Sequence, residues 1–121
     1  MVMRRVYIAG PFRAESGWLV ECNVREAEAL AFHVALTGAV PVCPHSMYRF
    51  YDRTLSDQFW LEATLDLLRM CHAVVFTARW KGSAGARGEE AEARRLGLPR
   101  FFVDDNGLPQ LAAWVQEARG G

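Results

Sequence analysis

The sequence predicts an α/β domain. The expected architecture is a single-domain Rossmann-like (flavodoxin-like) three-layer sandwich around a four- to five-stranded parallel sheet. Three observations point there. Short β-rich runs alternate with stretches of helical period, and that alternation calls for parallel strands joined by right-handed crossovers. The run Ala73-Val74-Val75-Phe76 is apolar throughout, as a strand covered on both faces should be. The chain has 121 residues and is 51% apolar, so residues 1–121 fit one domain with a real core and exclude a disordered chain.

In order, Val6-Tyr7-Ile8-Ala9 reads as a buried first strand that breaks into a turn at Gly10-Pro11, with Arg13 close behind. From Trp18 to Leu36, Val20, Val24, Ala27, Ala31 and Val34 recur in steps of four, three, four and three, which marks one face of a long helix. Gly38 should stop it. Ala39 to Cys43 is a second strand, and Pro41 argues against a fully paired central position. Pro44 to Ser56 has no period, and its aromatic and polar residues up to Asp52 predict a long functional loop. Asp57 to Met70 is a second helix with Trp60, Ala63, Leu67 and Met70 on one face. Ala73 to Thr77 is the third strand, and a third helix ends near Leu96 before Gly97-Leu98-Pro99. Arg100 to Val103 is a fourth strand, Asp104 to Gly107 a turn, and Leu108 to Ala118 a closing helix.

Fourteen Lys and Arg balance fourteen Asp and Glu, so the chain lacks the basic footprint of a protein that binds polymeric nucleic acid. Zero net charge leaves colloidal repulsion weak and permits self-association. Cys22, Cys43 and Cys71 are an odd set in or beside apolar runs, which fits buried free thiols in a reducing compartment. Cys43 and His45 are neighbours, but no second ligand pair completes a zinc set, so neither metal nor cofactor is expected. Met1 to Arg5 leads into an apolar run too short for a signal peptide, and no stretch is long enough to span a bilayer. The expectation is a cytoplasmic protein without a membrane partner.

The stretch with most chemical content is Ser83-Ala84-Gly85-Ala86-Arg87-Gly88-Glu89, between the third strand and the helical pattern Glu90 to Leu96. A strand, a small-residue loop and a helix start present backbone N–H groups to one spot and can cradle an anion. Glu89 is expected about one turn into that helix, where the macrodipole favours an ionised carboxylate. In a parallel sheet, ligands bind outside the carboxyl ends of the strands. Gly10-Pro11-Phe12-Arg13, Pro44-His45 and Ser83 to Glu89 all follow strands, so three loops should converge on one pocket.

Other candidates carry two readings each. Tyr7 is either a core residue or a pocket contact. Arg13 either binds an anion or is solvated, and His45 either meets substrate or caps backbone. Tyr48, Phe50 and Tyr51 either stack on a base or pack against another subunit. His33 and His72 read as structural.

Tyr7-Ile8-Ala9-Gly10-Pro11-Phe12, Asn23, Gly38, Pro41-Val42-Cys43-Pro44-His45, Leu68 with Cys71-His72-Ala73-Val74-Val75, and Ser83-x-Gly85-x-x-x-Glu89 followed by Ala93 occur in one order over nearly the whole chain. Together they resemble the nucleoside 2-deoxyribosyltransferase-like family, including its phage-type branch. The resemblance implies cleavage or exchange of the N-glycosidic bond of a deoxynucleoside or its 5′-monophosphate. It implies that Glu89 attacks the anomeric carbon and holds the sugar as a covalent ester, in keeping with an oxocarbenium-like transition state. It implies that Tyr7 orients Glu89, and that Ser83, the loop amides and Arg13 hold a 5′-phosphate where there is one. It also implies a homodimer or larger homo-oligomer. One departure stands out. Where catalytic members carry an aspartate on the second helix, this chain has Thr64, with Asp57 two turns before it and Asp66 two residues after it. A non-catalytic nucleotide-binding module is the alternative from another class, and a sugar-phosphate enzyme using the same anion loop is a third.

Overall fold

A computed structural model describes residues 3–51 and 54–120. Met1, Val2 and Asp52 lie outside the described residues. Strands β1 (Arg5–Ala9), β2 (Val40–Val42), β3 (Ala73–Phe76) and β4 (Arg100–Phe102) form one sheet in the order β2-β1-β3-β4. All three pairings are parallel, with Tyr7 opposite Val42 on one side and Val74 on the other. The chain is a Rossmann-like, flavodoxin-like α/β sandwich, with four strands at the lower end of the expected range. Pro41 falls in the edge strand β2, where a missing N–H costs no internal ladder bond.

Alternation of side chains along the strands builds the two covering layers. Val6, Ile8, Ala73, Val75 and Phe101 face helices α1 (Gly17–Leu36) and α5 (Gly107–Gly120), packing on Ala27, Leu30, Val34, Leu111 and Val115. Tyr7, Ala9, Val74 and Phe76 face the other way, onto Leu68 of α3 (Asp57–Leu68), Cys71, and Ala93 of α4 (Ala84–Leu96). Each fully buried Val, Leu or Phe here contributes about 1.5–3 kcal/mol. On that second face Phe102 stacks on Phe76 at 4.9 Å, and Trp80 leans on both.

Local signals set the helix ends. Ser16 caps α1 by accepting from the Leu19 N–H at 3.2 Å, and Gly38 takes the left-handed φ of 97° beyond its end, as the sequence predicts. The buried face of α1 includes the expected Val24, Ala27 and Val34, with Asn23 and Leu30 completing it. His72 is structural, its Nδ1 accepting the Arg5 N–H at 2.9 Å. Cys43 and Cys71 are buried free thiols, and burial lifts Cys71 to about 11; Cys22 is half-buried rather than buried. No helix among the described residues is long and apolar enough to cross a membrane.

Three expectations need correction. The segment after β2 is not all loop, because Pro44–Tyr48 forms a short helix, α2, with Pro44 in the first turn where its absent N–H is harmless. The helix α4 begins at Ala84, earlier than a small-residue loop from Ser83 to Glu89 allows. Ser83 is its N-cap, accepting from the Ala86 N–H at 3.1 Å, so Gly85 to Gly88 are helical. Finally, α3 ends at Leu68, so Met70 lies beyond the helix rather than on its face with Trp60, Ala63 and Leu67, and is 62% exposed. The earlier turns of α3 present Trp60, Leu61, Thr64 and Leu65 to a cavity, while Leu67 and Leu68 near its end pack beneath the sheet.

Candidate functional site

At the carboxyl ends of β1, β2 and β3 lies a cavity of about 500 Å³, a volume suited to a small-molecule ligand. Its lining brings together every site residue nominated from sequence: Tyr7, Gly10, Pro11, Phe12, Arg13, His45, Ser83, Gly85 and Glu89. The glycines of α4 keep it open, because Gly85 and Gly88 add no side chain to that wall. The convergence follows from topology, since parallel strands deliver all their following loops to one sheet edge.

Tyr7 satisfies both of its readings. It is fully buried in β1, and its hydroxyl donates a hydrogen bond to Glu89 Oε2. Burial and then the charge of Glu89 hold the phenol well above 10, while the neighbouring Thr64 hydroxyl pulls the other way. Glu89 is half-buried, and desolvation raises its carboxyl to about 8 against the opposing effect of the Tyr7 bond. That corrects the expectation of a carboxylate kept ionised by the macrodipole. Glu89 is the sixth residue of α4, beyond the first turn where the dipole acts, so desolvation wins.

The loop after β1 is fastened from three sides. Asn23 on α1 donates from Nδ2 to the Phe12 carbonyl at 3.0 Å and accepts from Arg79 at Oδ1 at 2.9 Å. His45 on α2 places Nε2 3.2 Å from the Gly10 carbonyl and 3.0 Å from that of Pro11, so this nitrogen carries the proton and donates. Burial lowers the His45 pKa below its usual value and keeps the ring neutral. Its Nε2 thus meets backbone, although the residue also lines the cavity. At Gly10, a Cβ would stand 2.5 Å from Thr77 Oγ1, so only glycine lets the loop pass this close to the buried Thr77.

Ser83 and Arg13 are less available to an anion than the sequence implies. The Ser83 hydroxyl already caps α4, which leaves the Ala84 and Gly85 amides as unbonded helix-start donors. Arg13 is paired with Asp57 at 2.7 Å. Of the three residues weighed at the aspartate position, Thr64 and Asp57 line the cavity, whereas Asp66 is 79% exposed and turned toward Arg69 at 4.0 Å.

Of the aromatic segment, Tyr48 reaches the lining, while Phe50 and Tyr51 are exposed and lie outside it. Sequence reasoning placed Trp60 on one face of the second helix without assigning it to the site. It lines the cavity beside Tyr48, ring centroids 5.0 Å apart. The pairs Trp60-Leu61 and Thr64-Leu65, four residues apart, were the available signal for this wall.

Fold and site together define a flavodoxin-like α/β domain in which a buried phenol holds a half-buried carboxyl in a cavity at the sheet's carboxyl edge. The chain belongs to the family described as domain of unknown function DUF7768, whose model matches residues 4–103. No curated protein matches the chain.

Proposed function

We propose that this protein is a nucleoside or nucleoside-monophosphate N-glycosidase or deoxyribosyltransferase that works through Glu89. The observation carrying the reading is the Tyr7–Glu89 pair in the wall of a cavity of about 500 Å³. A carboxyl in this position attacks the anomeric carbon once ionised. The C–N bond breaks, the base leaves with the electron pair and takes up a proton, and the sugar stays esterified to Glu89. Water, or the base of a second acceptor, then attacks the ester and frees the carboxylate. Two displacements retain configuration. Tyr7 keeps the attacking oxygen in register through its hydroxyl, and Tyr48 and Trp60 offer ring surface to a base. The resemblance to nucleoside 2-deoxyribosyltransferases supports this assignment, and the reaction needs no cofactor or metal.

A panel of deoxynucleosides and their monophosphates tests it, with free base and a glycosyl adduct on Glu89 as readouts. Release of base from at least one is expected; no release and no adduct from any would overturn the enzyme. Thr64 in place of the expected aspartate favours the second reading, a nucleotide-binding module of the same fold, which would bind members of that panel without releasing base.

The proposal places the protein in the cytoplasm, acting on small molecules rather than nucleic acid or membrane, as a homodimer or larger homo-oligomer. Trp18, Phe32 and Leu36 on α1 are each more than 60% exposed and Phe50 is 81% exposed, apolar surface that a partner copy would cover. Light scattering at high concentration should return at least twice the 13.6 kDa chain mass, and a monomer mass would overturn this assignment.

A further inference from the structure

We propose that the outer face of α1 receives a second copy of this chain, the two helices packing antiparallel about a two-fold axis, an inference that rests on the homo-oligomer reading above. Along α1, Trp18, Cys22, Arg25, Ala29, Phe32 and Leu36 fall in steps of four, three, four, three and four. That is the spacing of a coiled-coil seam. At 3.6 residues per turn it lies opposite the buried stripe of Val24, Ala27, Leu30 and Val34. Trp18, Phe32 and Leu36 are 64%, 64% and 67% exposed, on the side where a solvated helix carries polar residues.

The seam is complementary to itself, because its spacing reads the same from either end. An antiparallel copy sets Trp18 against Leu36, Phe32 against Cys22 and Arg25 against Ala29, a larger side chain against a smaller one each time. A parallel copy would stack Arg25 on Arg25 and Trp18 on Trp18. Arg25 is the one charged residue of the seam, and it is already matched. Its guanidinium lies 3.1 Å from Glu21 and 5.7 Å from the centre of the Trp18 ring, so covering it strands no lone charge. Phe50 widens the surface. Arg49 binds Glu21 on the flank of α1 and lies 5.0 Å from the centre of the Phe50 ring, which is 81% exposed. A buried aromatic side chain covers about 150–250 Å². Trp18, Phe32 and Phe50 of two copies, with their smaller neighbours, therefore offer on the order of 1,000 Å², where specific interfaces begin. Among the described residues lining the cavity none comes from α1, so each copy keeps its own site.

The test combines disulfide trapping with light scattering on the full chain. Phe32→Cys puts a thiol opposite Cys22 of the second copy. Mild oxidation should then give a covalent species of twice the 13.6 kDa chain mass, reversed by dithiothreitol. The wild type should not cross-link, because the antiparallel seam holds its two Cys22 residues about 15 Å apart, and Cys43 and Cys71 are buried. Ala29→Arg sets a second cation against Arg25 and should raise the dimer dissociation constant about a hundredfold. Phe59→Arg, on the exposed side of α3, should leave that constant unchanged. A wild-type dimer that neither cross-links through Phe32→Cys nor weakens with Ala29→Arg overturns this face while the oligomer reading stands. Cross-linking of the wild type through Cys22 would mean parallel pairing and overturns the antiparallel seam. A wild-type monomer mass overturns both readings. None of these outcomes touches the Glu89 chemistry, which base release reads by itself.

Discussion

Glu89→Gln abolishes base release, lowering turnover by several powers of ten in a protein that remains folded. The expectation follows from chemistry, because an amide cannot form the glycosyl ester, and the partner of Glu89, Tyr7, is a phenol held protonated by burial and cannot replace it. The same substitution should change stability with a sign that identifies the ionisation. The Glu89 carboxyl rises from 4.5 to about 8 on folding. Between those values the native chain keeps a proton that the unfolded chain has released, so stability is full below pH 4.5 and declines until pH passes about 8. A carboxyl shifted that far contributes on the order of 5 kcal/mol to the decline. Glutamine removes the titration. Urea denaturation should therefore find Glu89→Gln more stable than wild type at pH 9, with the advantage gone at pH 4. In the wild-type enzyme, kcat/KM should climb with pH toward a plateau above about 8, because only the ionised carboxyl attacks. Near-normal turnover by a folded Glu89→Gln protein would remove Glu89 from the mechanism.

The parts of this molecule legible in sequence were those set by local period and by topology. Val74 and Val75 announce a strand buried on both faces, and alternation of elements dictates a parallel sheet, so three post-strand loops had to meet on one edge. That is why Gly10, Arg13, His45, Ser83 and Glu89 could be nominated before any of their contacts were visible, whereas Tyr7, inside β1, was nominated only through the family resemblance. What escaped depended on competition or on distance along the chain. Gly85 and Gly88 each weaken a helix by about 1 kcal/mol relative to alanine, so the segment reads as loop until the Ser83 cap and the packing of Ala86 and Ala93 are counted. Trp60 reads only as one member of an apolar stripe because period alone does not distinguish a face that meets side chains from a face that meets a cavity. The Arg13–Asp57 pair and the double anchor at Asn23 join residues 44 and 56 positions apart at their longest spans, beyond the reach of any local rule. The ionisation of Glu89 was misjudged for a related reason. Position in a helix was legible, but depth under Tyr7 and the α3 wall was not.

A nucleoside analogue with a nitrophenol-like leaving group should react two to four powers of ten faster than a natural deoxynucleoside. The argument starts from what surrounds the leaving base. A departing purine or pyrimidine must be protonated, and a positioned general acid is typically worth two to four powers of ten. In this cavity Thr64 occupies the place of the expected aspartate, close to the Tyr7 hydroxyl, and an alcohol is far too weak an acid for the task. Asp66 is turned outward to Arg69, and Asp57 is an ion pair with Arg13. Protonated Glu89 cannot serve either, since it must lose that proton to become the nucleophile. A nitrophenolate departs without acid help, so its rate reports the attack of Glu89 alone, and the gap between the two substrates reports the missing acid. Equal fast rates on both would mean that an acid is present and that Thr64 is no handicap. Saturable binding without release from either, and without a glycosyl adduct on Glu89 by mass spectrometry, would assign the cavity to nucleotide binding rather than catalysis.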